Sequence, residues 1–187
     1  GAWGAAPAAH LGLSLPVTAR RIGLALAWLP GAGRRGTATA LPTCIDDTTG
    51  CYFRPDGGDR LFYGVSCDPE VESGRDVAPL RSPEVTAAGQ RLARRVRGAA
   101  TLPVIGTRAG FDGYTPDKHP IIGPAGPDGL YLALGFSGGG FKIAPAVAEL
   151  AAAEITGEGR HSLLNPYRQQ RFAKRELVTT STAYDHM

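Results

Sequence analysis

Short apolar segments separated by glycine- and proline-rich turns run through much of the chain. This pattern predicts strands at 19–29, 44–47, 51–54, 60–65, 104–111 and 130–134. The sequence PDGGD at 55–59 is a strong hairpin signal between two of them. Because consecutive strands joined by tight turns pair antiparallel, we expect an antiparallel or mixed sheet.

Helical periodicity predicts elements that flank this sheet. Ser82 and Pro83 are typical of an N-cap and a first helical position, and we expect this helix to end near Gly98. A second helix is predicted over 140–155, and a short one over 3–13. Apolar positions of the first of these helices share one face: Val85, Ala88, Leu92 and Val96. The predicted fold class is therefore α+β.

Three segments lack a clear periodic pattern. We interpret 112–127 as a long proline-rich loop and 165–172 as a polar arm. Residues 173–187 are expected to form a disordered tail.

Composition excludes several classes of protein. The 187 residues are 43% hydrophobic and 20% charged, with a net charge of +3, which is ordinary for a globular protein and too mild to indicate nucleic-acid binding. No run of 18 apolar residues is present, so no membrane partner is expected. Cys44, Cys51 and Cys67 form no C-x-x-C pair, which argues against a disulfide framework and a metal site. Their low number favours a reducing, cytoplasmic location.

The sequence GAGRRG at 31–36 satisfies the G-x-G-x-x-G pattern of a dinucleotide-binding loop. That loop also needs a helix directly after it and an acidic residue about 20 residues further on. The following TATALP at 37–42 is a poor helix former, and Asp46 and Asp47 come too soon. We therefore interpret 31–36 as a hairpin turn.

The sequence GFSGGGFKIAPAVAEL at 135–150 follows a short strand and opens a helix. Glycines allow a ligand to approach the backbone closely, and a helix N-terminus favours negative charge. The pattern predicts a site for an anion or an electron-rich ring.

Four stretches in this order resemble the C-terminal part of the FAD-dependent amine and amino-acid oxidoreductases, the family of sarcosine oxidase, glycine oxidase and D-amino-acid oxidase. The similarity runs from Gly1 to about Phe172, and the T-P-D-x-x-P-I-I-G and G-F-S-G-x-G-F-K motifs carry most of it. The stretches are GAW at 1–3, IDDTTGCYFRPDGG at 45–58, AGFDGYTPDKHPIIGP at 109–124 and GLYLALGFSGGGFKIAPAVAEL at 129–150.

The resemblance implies FAD as cofactor and a small amine or amino acid as substrate. It implies that Lys142 is catalytic and holds the substrate carboxylate, and that Tyr52 and Arg54 contact substrate from the sheet. His119 is interpreted as structural. The implied cofactor-binding residues are Gly1, Ala2, Trp3, Gly135, Phe136, Ser137, Gly138, Gly139, Gly140, Phe141 and Lys142.

The chain departs from the family pattern at four positions. Gly110 stands where sarcosine oxidase has the cysteine bonded to flavin, so FAD is expected to bind non-covalently. Gly139 replaces a histidine, and Phe62 falls near the lysine credited with oxygen activation, which leaves oxidase and dehydrogenase activity both open. Asp112 falls near the arginine that holds the substrate carboxylate in glycine oxidase, which argues against that activity.

The resemblance also implies a domain organisation. Residues 1–15 match a late segment of an FAD-binding domain, 16–110 a substrate-binding sheet domain, and 111–172 the return to the FAD-binding domain. The nucleotide-binding Rossmann half is absent from this sequence, so a partner chain or segment is expected to carry it. The predicted activity is oxidation of a C–N bond by hydride transfer to flavin. Two alternatives stay open: a non-catalytic subunit that completes a partner flavoprotein, and an anion-binding module.

Overall fold

A five-stranded antiparallel sheet dominates the computed structural model, which describes residues 1–67 and 77–180. Its spatial order is β2-β3-β4-β1-β5, so the long first strand lies between the fourth and fifth. All four pairings are antiparallel, which confirms the predicted sheet. The strands are β1 (Thr18–Trp28), β2 (Cys44–Asp46), β3 (Cys51–Pro55), β4 (Arg60–Ser66) and β5 (Val104–Tyr114).

A second, smaller unit consists of a two-stranded hairpin and helices around it. The hairpin pairs β6 (Ile121–Pro124) with β7 (Tyr131–Leu134). The α-helices are α1 (Ala5–His10), α2 (Ser82–Ala93), α3 (Gly140–Ile155) and α4 (Gln170–Lys174), and 3₁₀ turns cover Ala99–Thr101 and Ser162–Tyr167. The mixture of helices and antiparallel strands agrees with the predicted α+β class.

One face of the five-stranded sheet is covered by α2 and forms the main core. Alternate residues of the central strands point to this face, as the period of two requires. The predicted apolar stripe of α2 is largely correct, because Ala88, Leu92 and Val96 are buried against the sheet. Strand residues in this core are Ala25, Ala27, Cys51, Phe53, Leu61, Tyr63 and Val65.

The opposite face of the five-stranded sheet carries the other alternate residues, and we call it the open face. Ile22, Leu24 and Leu26 of β1 are only half-buried there. Phe62 of β4 and Tyr52 of β3 lie beside them by the same alternation. The centre of the open face is thus apolar.

A second apolar cluster joins α1 to the β6–β7 hairpin. Ala8, Leu15 and Val17 pack there against Ile121, and Leu132 and Leu134 complete the cluster. The helix predicted over 3–13 is therefore present but shorter than expected. The packing of one buried face, rather than the length of the helix, stabilises α1.

The predicted loop at 112–127 is wrong in two places. Strand β5 continues to Tyr114, because residues 112–114 pair with residues 18–20 of β1. Ile121–Pro124 then forms β6, since Ile121 pairs with Leu134. The prolines on both sides of β6 are compatible with these strands because they lie at its ends.

Three smaller predictions are also corrected. Ser82 is the first residue of α2 rather than its N-cap, which is Arg81, and the helix ends at Ala93 rather than near Gly98. The segment at 31–36 is a turn but not a hairpin, because β1 and β2 are not neighbours in the sheet. Its N–H groups instead contact the β3–β4 turn, with Gly31 donating to Asp59 Oδ1 at 2.8 Å.

The predicted polar arm at 165–172 and tail from 173 are more structured than expected. Residues of the arm form a 3₁₀ turn and α4, and Arg171 within it is buried. Beyond the helix, the N–H of Val178 donates to the Asp117 carboxylate at 3.1 Å. Residues 181–187 of the predicted tail lie outside the described residues. The domain boundaries stay predictions.

Truncation of the central core residue of α2 tests this packing. Leu92 is 0% exposed, so Leu92→Ala is expected to lower the free energy of unfolding by about 2–5 kcal/mol. Leu163→Ala is the matched control, since Leu163 is 64% exposed and its loss is expected to change stability by about 0.5 kcal/mol or less. Urea unfolding measures both. Equal losses in the two variants would contradict the assigned core.

Candidate functional site

The glycine turn between β7 and α3 has an unusual backbone conformation. Gly135, Ser137 and Gly138 have φ angles of 70°, 50° and 81°, which lie in the left-handed region. Glycine adopts this region without strain, but serine rarely does. A serine held at this angle indicates that its surroundings fix the turn.

Hydrogen bonds to the end of β5 provide that constraint. Ser137 is 1% exposed, and its N–H donates to the Gly113 carbonyl at 2.9 Å. Its hydroxyl oxygen accepts from the N–H of Thr115 at 3.2 Å and donates to the Gly135 carbonyl at 3.2 Å. The turn is therefore anchored at its centre to the outermost strand of the sheet.

Close packing at two glycines explains why larger residues do not fit the turn. A Cβ added to Gly135 would lie 2.7 Å from Cγ2 of Thr115. One added to Gly140 would lie 3.0 Å from Cβ of Phe136. These glycines let the turn fold back against β5 and let α3 begin directly after it.

A cavity of about 310 Å³ lies beside this turn. Gly1, Asp112 and Gly138 line it, together with Phe136 and Phe141. The first N–H groups of an α-helix have no partner within the helix, so the start of α3 offers donors at this cavity. The glycine lining keeps the backbone accessible to a ligand in this cavity.

A larger groove of about 970 Å³ lies on the other side of the helix start. Gly139, Lys142 and Ile143 line it from α3, and Asp117 and His119 from the loop before β6. Lys142 is exposed, so its ammonium group is accessible to a ligand in this groove. Lys142 does not line the smaller cavity.

A buried ion pair holds the loop between β5 and β6 in place. Asp117 and Arg171 have side chains that are 1% and 4% exposed, and their Oδ2 and Nε atoms are 2.7 Å apart. Asp117 also accepts hydrogen bonds from the N–H groups of His119 and Val178, and the Thr115 hydroxyl oxygen lies 3.1 Å from its Oδ1 atom. Burial alone would raise the pKa of Asp117, but Arg171 and these N–H groups hold it below its ordinary value.

His119 takes part in the same assembly through its backbone and ring. Its carbonyl accepts from the Thr115 hydroxyl at 2.7 Å and from Arg171 at 2.8 Å. Its ring stacks on Tyr167 with centroids 6.1 Å apart. These contacts agree with the structural role predicted for His119.

A second ion pair ties the C-terminal segment to α3 and β6. Arg168 forms a bidentate pair with Glu154, and its Nη1 also donates to the Ile122 carbonyl at 3.1 Å. The hydroxyl of Tyr131 donates to Glu154 at 2.6 Å. The Arg168 guanidinium lowers the pKa of Glu154 to about 2. A side chain at Gly123 would collide with Arg168, which explains the glycine there.

The predicted substrate residues of the sheet lie on the open face. The Tyr52 ring lies across Gly64, where an added Cβ would be 2.1 Å from the ring. Arg54 is exposed, with its guanidinium carbon 4.8 Å from the centroid of Phe62. Neither Tyr52 nor Arg54 lines the smaller cavity or the larger groove that contains Lys142.

The structure thus brings together some of the predicted site residues. Gly1 meets the glycine turn at the smaller cavity, whereas Trp3 packs edge-on against Phe111 with centroids 6.1 Å apart. Ala2 is buried. The roles assigned to all these residues stay predictions. Sequence reasoning missed Arg171 and Ser137 as anchors of the site. The T-P-D motif was a signal for Arg171, because a buried aspartate needs a cationic partner.

Comparison with known proteins identifies the family to which this fold and its glycine turn belong. The family model for FAD dependent oxidoreductases matches residues 1–154. The chain therefore belongs to the FAD-dependent oxidoreductase family, as the sequence motifs predicted. FAD is the cofactor of this family, and the part of the prediction that makes its binding non-covalent stays a prediction.

Three similar proteins illustrate the range of the family. FAD-dependent oxidoreductase domain-containing protein 1 of Bos taurus is 34% identical over 176 residues, which cover 89% of this chain and 34% of that protein. Monomeric sarcosine oxidase of Streptomyces avermitilis is 35% identical over 124 residues, or 61% of this chain and 30% of that protein. The crystal structure of L-proline dehydrogenase from P. horikoshii superimposes with a TM-score of 0.80 at 25% identity, covering 95% of this chain and 46% of that one.

The chain spans about a third of the length of these curated relatives and less than half of that crystal structure. Within residues 1–67 and 77–180, no helix is long and apolar enough to cross a membrane. The same residues contain no group of three or more His, Cys, Asp or Glu side chains arranged to hold a metal ion. The cytoplasmic location stays a prediction.

Substitution at Gly135 tests the shape of the glycine turn. Gly135→Ala is expected to strain the backbone at φ 70° and to push Thr115 away, so it lowers both stability and flavin retention. Gly129→Ala is the matched control, because Gly129 has a similar φ of 85° but open space around it. Thermal unfolding measures the loss of stability, and flavin absorbance of the assembled protein after desalting measures the loss of flavin. Equal flavin losses in Gly135→Ala and Gly129→Ala would show that only the backbone angle matters.

The Glu154–Arg168 pair predicts a specific acid sensitivity. Because the folded pKa of Glu154 lies near 2, below its ordinary 4.5, its stabilising contribution is complete above pH 4.5 and disappears as the pH falls through about 2. Glu154→Gln is therefore expected to be less stable at neutral pH and to show a shallower loss of stability in this acid range.

Urea unfolding at a series of pH values measures that slope. Glu149→Gln serves as the control, because Glu149 lies on the same helix and is exposed. A slope in Glu154→Gln as steep as that of the unmodified protein would contradict the role assigned to this ion pair.

Proposed function

We propose that the chain provides the substrate sheet and the flavin-facing turn of an enzyme that oxidises the C–N bond of an amine or N-alkyl amino acid to an imine. The observation that carries the proposal is the anchored turn at 135–140. Its hydrogen bonds to Gly113 and Thr115 put the start of α3 and the end of β5 around one cavity.

Each part of the site has a distinct task in this proposal. Bound FAD supplies the hydride acceptor. The N-terminus of α3 favours the negative charge that collects at the adjacent ring edge, and it is preorganised for that task. The apolar open face, with Leu24 and Phe62, excludes water from the substrate and limits its orientations. Tyr52 and Arg54 contact the substrate from the sheet, and Lys142 attracts a substrate carboxylate from the larger groove.

The exposed surface of α3 supports a second part of the proposal. Phe141 is 97% exposed, Ile155 is 63% exposed, and Ile143 is 41% exposed on a helix that is mostly apolar. Exposed apolar surface of this kind typically marks an interface. We propose that a nucleotide-binding half, on the same polypeptide or on a partner chain, packs against α3 and holds most of the FAD.

The first experiment is a visible absorption spectrum of the protein before and after incubation with excess FAD and desalting. Bands near ~370 and ~450 nm that survive desalting would support a flavin site. The measurement is made on this chain alone and on the chain together with its nucleotide-binding half. Flavin retained only by the assembled protein is the expected result. A colourless assembled protein would contradict the proposal.

The second experiment tests the reaction. Under anaerobic conditions, addition of sarcosine, L-proline or simple secondary amines to the flavin-loaded protein is expected to bleach the ~450 nm band, because hydride transfer reduces the flavin. A 2-hydroxy acid is the control substrate, since it offers a C–O bond instead. Bleaching by the hydroxy acid alone would overturn the assignment of C–N chemistry. Stable flavin with every amine would favour a non-catalytic subunit, which is the alternative that the exposed α3 also fits.

A further inference from the structure

Asp112 lies on the open face of the sheet. In the antiparallel ladder it pairs with Arg20 of β1, and directly paired residues point to the same face. The next residue of β1, Arg21, is buried and forms an ion pair with Glu84 of α2. Arg20 and Asp112 therefore point to the opposite face, which α2 does not cover. Asp112 also lines the cavity beside the glycine turn.

Arg20, the cationic residue that pairs with Asp112 in the ladder, contacts an aromatic ring instead. The guanidinium carbon of Arg20 lies 4.5 Å from the centroid of the Tyr114 ring, in a cation–π contact. Within residues 1–67 and 77–180, the structure gives the Asp112 carboxylate no ion pair and no hydrogen bond. Other carboxylates with largely buried side chains are each paired with arginine: Asp46, Glu84, Asp117 and Glu154.

Two tyrosines share the surroundings of this carboxylate. Tyr114 follows it by two residues on the same strand face, and Tyr52 extends toward it across Gly64. Burial raises the pKa of Tyr52, and the charge of Asp112 raises it further. Burial likewise raises the pKa of Asp112, and the positive charge of the Gly1 amino group acts in the opposite direction. A partly desolvated carboxylate near aromatic residues is unfavourable by itself, but it is well suited to bind an ammonium group.

We propose that Asp112 binds the cationic nitrogen of the substrate and selects amines of net positive charge over amino acids. The proposal deepens the proposed function and rests on it for the identity of the reacting bond. A carboxylate attached next to the reacting carbon would lie in the field of Asp112 and be repelled. An amide or alkyl group in that position carries no such cost, so the preferred substrates are amines without a neighbouring carboxylate. Of the two substrate classes in the proposed function, this favours simple amines, and the carboxylate contact proposed for Lys142 concerns only the less favoured amino acids.

Calorimetry of two oppositely charged ligands tests the binding site without turnover when the flavin is reduced beforehand and oxygen is excluded, because reduced flavin cannot accept a hydride. Propylammonium and propionate are similar in size and opposite in charge. The assembled, flavin-loaded protein is expected to bind propylammonium about 10- to 100-fold more tightly, the usual effect of a charge-assisted hydrogen bond. Asp112→Asn is expected to abolish this preference, and Asp112→Glu to retain part of it. Asp128→Asn is the control, since Asp128 is exposed in the β6–β7 turn and its replacement changes the net charge equally.

Turnover then tests selection among substrates. Sarcosinamide and sarcosine, and L-prolinamide and L-proline, are pairs that differ mainly in the carboxylate. The unmodified protein is expected to show the higher kcat/KM for each amide, mostly through a lower KM. In Asp112→Asn the ratio of amide to acid is expected to fall about 10-fold or more, whereas Asp128→Asn leaves it unchanged.

Either of two results would overturn the proposal: propionate bound as tightly as propylammonium, or a cation preference that survives in Asp112→Asn. A circular dichroism spectrum identical to that of the unmodified protein shows that Asp112→Asn is folded, and Asp112→Glu keeps the test available if it is not. Absence of amine turnover with an intact propylammonium preference would contradict the proposed function but leave the cation site standing.

Discussion

The buried pair of Asp117 and Arg171 is the interaction on which the rest of the site depends. Asp117 lies three residues after the end of β5, and Arg171 lies near the end of the described chain, so the pair closes a long loop of polypeptide. Their contact also includes Thr115, whose N–H binds Ser137 of the glycine turn. Loss of either charge would leave the other buried without an opposite charge, which is strongly destabilising. One ion pair thereby couples the C-terminal segment, the outer strand and the start of α3.

The two faces of the five-stranded sheet have different roles. The face toward α2 contains alanine, leucine and phenylalanine packed for stability, and an internal ion pair there joins Arg21 to Glu84. The open face combines apolar residues with glycines, tyrosines and the Asp112 carboxylate, a composition that suits a ligand better than a protein core. The two faces can differ in this way because successive side chains along each strand point to opposite faces of the sheet. Membership of the FAD-dependent oxidoreductase family is in keeping with such a two-sided sheet.

Local signals predicted much of the fold but not its long-range contacts. The PDGGD turn and the alternation in β1 and β4 predicted the antiparallel sheet, because these patterns depend on neighbouring residues. The extension of β5 to Tyr114 was missed, since its pairing partner Thr18 is 96 residues away. Arg171 was assigned to a polar arm because no local pattern reveals that an arginine will be buried. Within the site, the glycine turn could be predicted from the sequence. The lack of an ion pair at Asp112 among the described residues could not, because it depends on the contact of Arg20 with Tyr114.

The left-handed turn at Gly135, Ser137 and Gly138 is held by hydrogen bonds to the end of β5. A loop that is ordered in advance loses little conformational entropy when its ligand arrives. Affinity at this turn consequently depends on the rigidity of a strand that does not itself contact most of the ligand. If the β1–β5 pairing were loosened, the ligand would therefore dissociate faster from the turn, whereas the chemistry of the bound complex would not change.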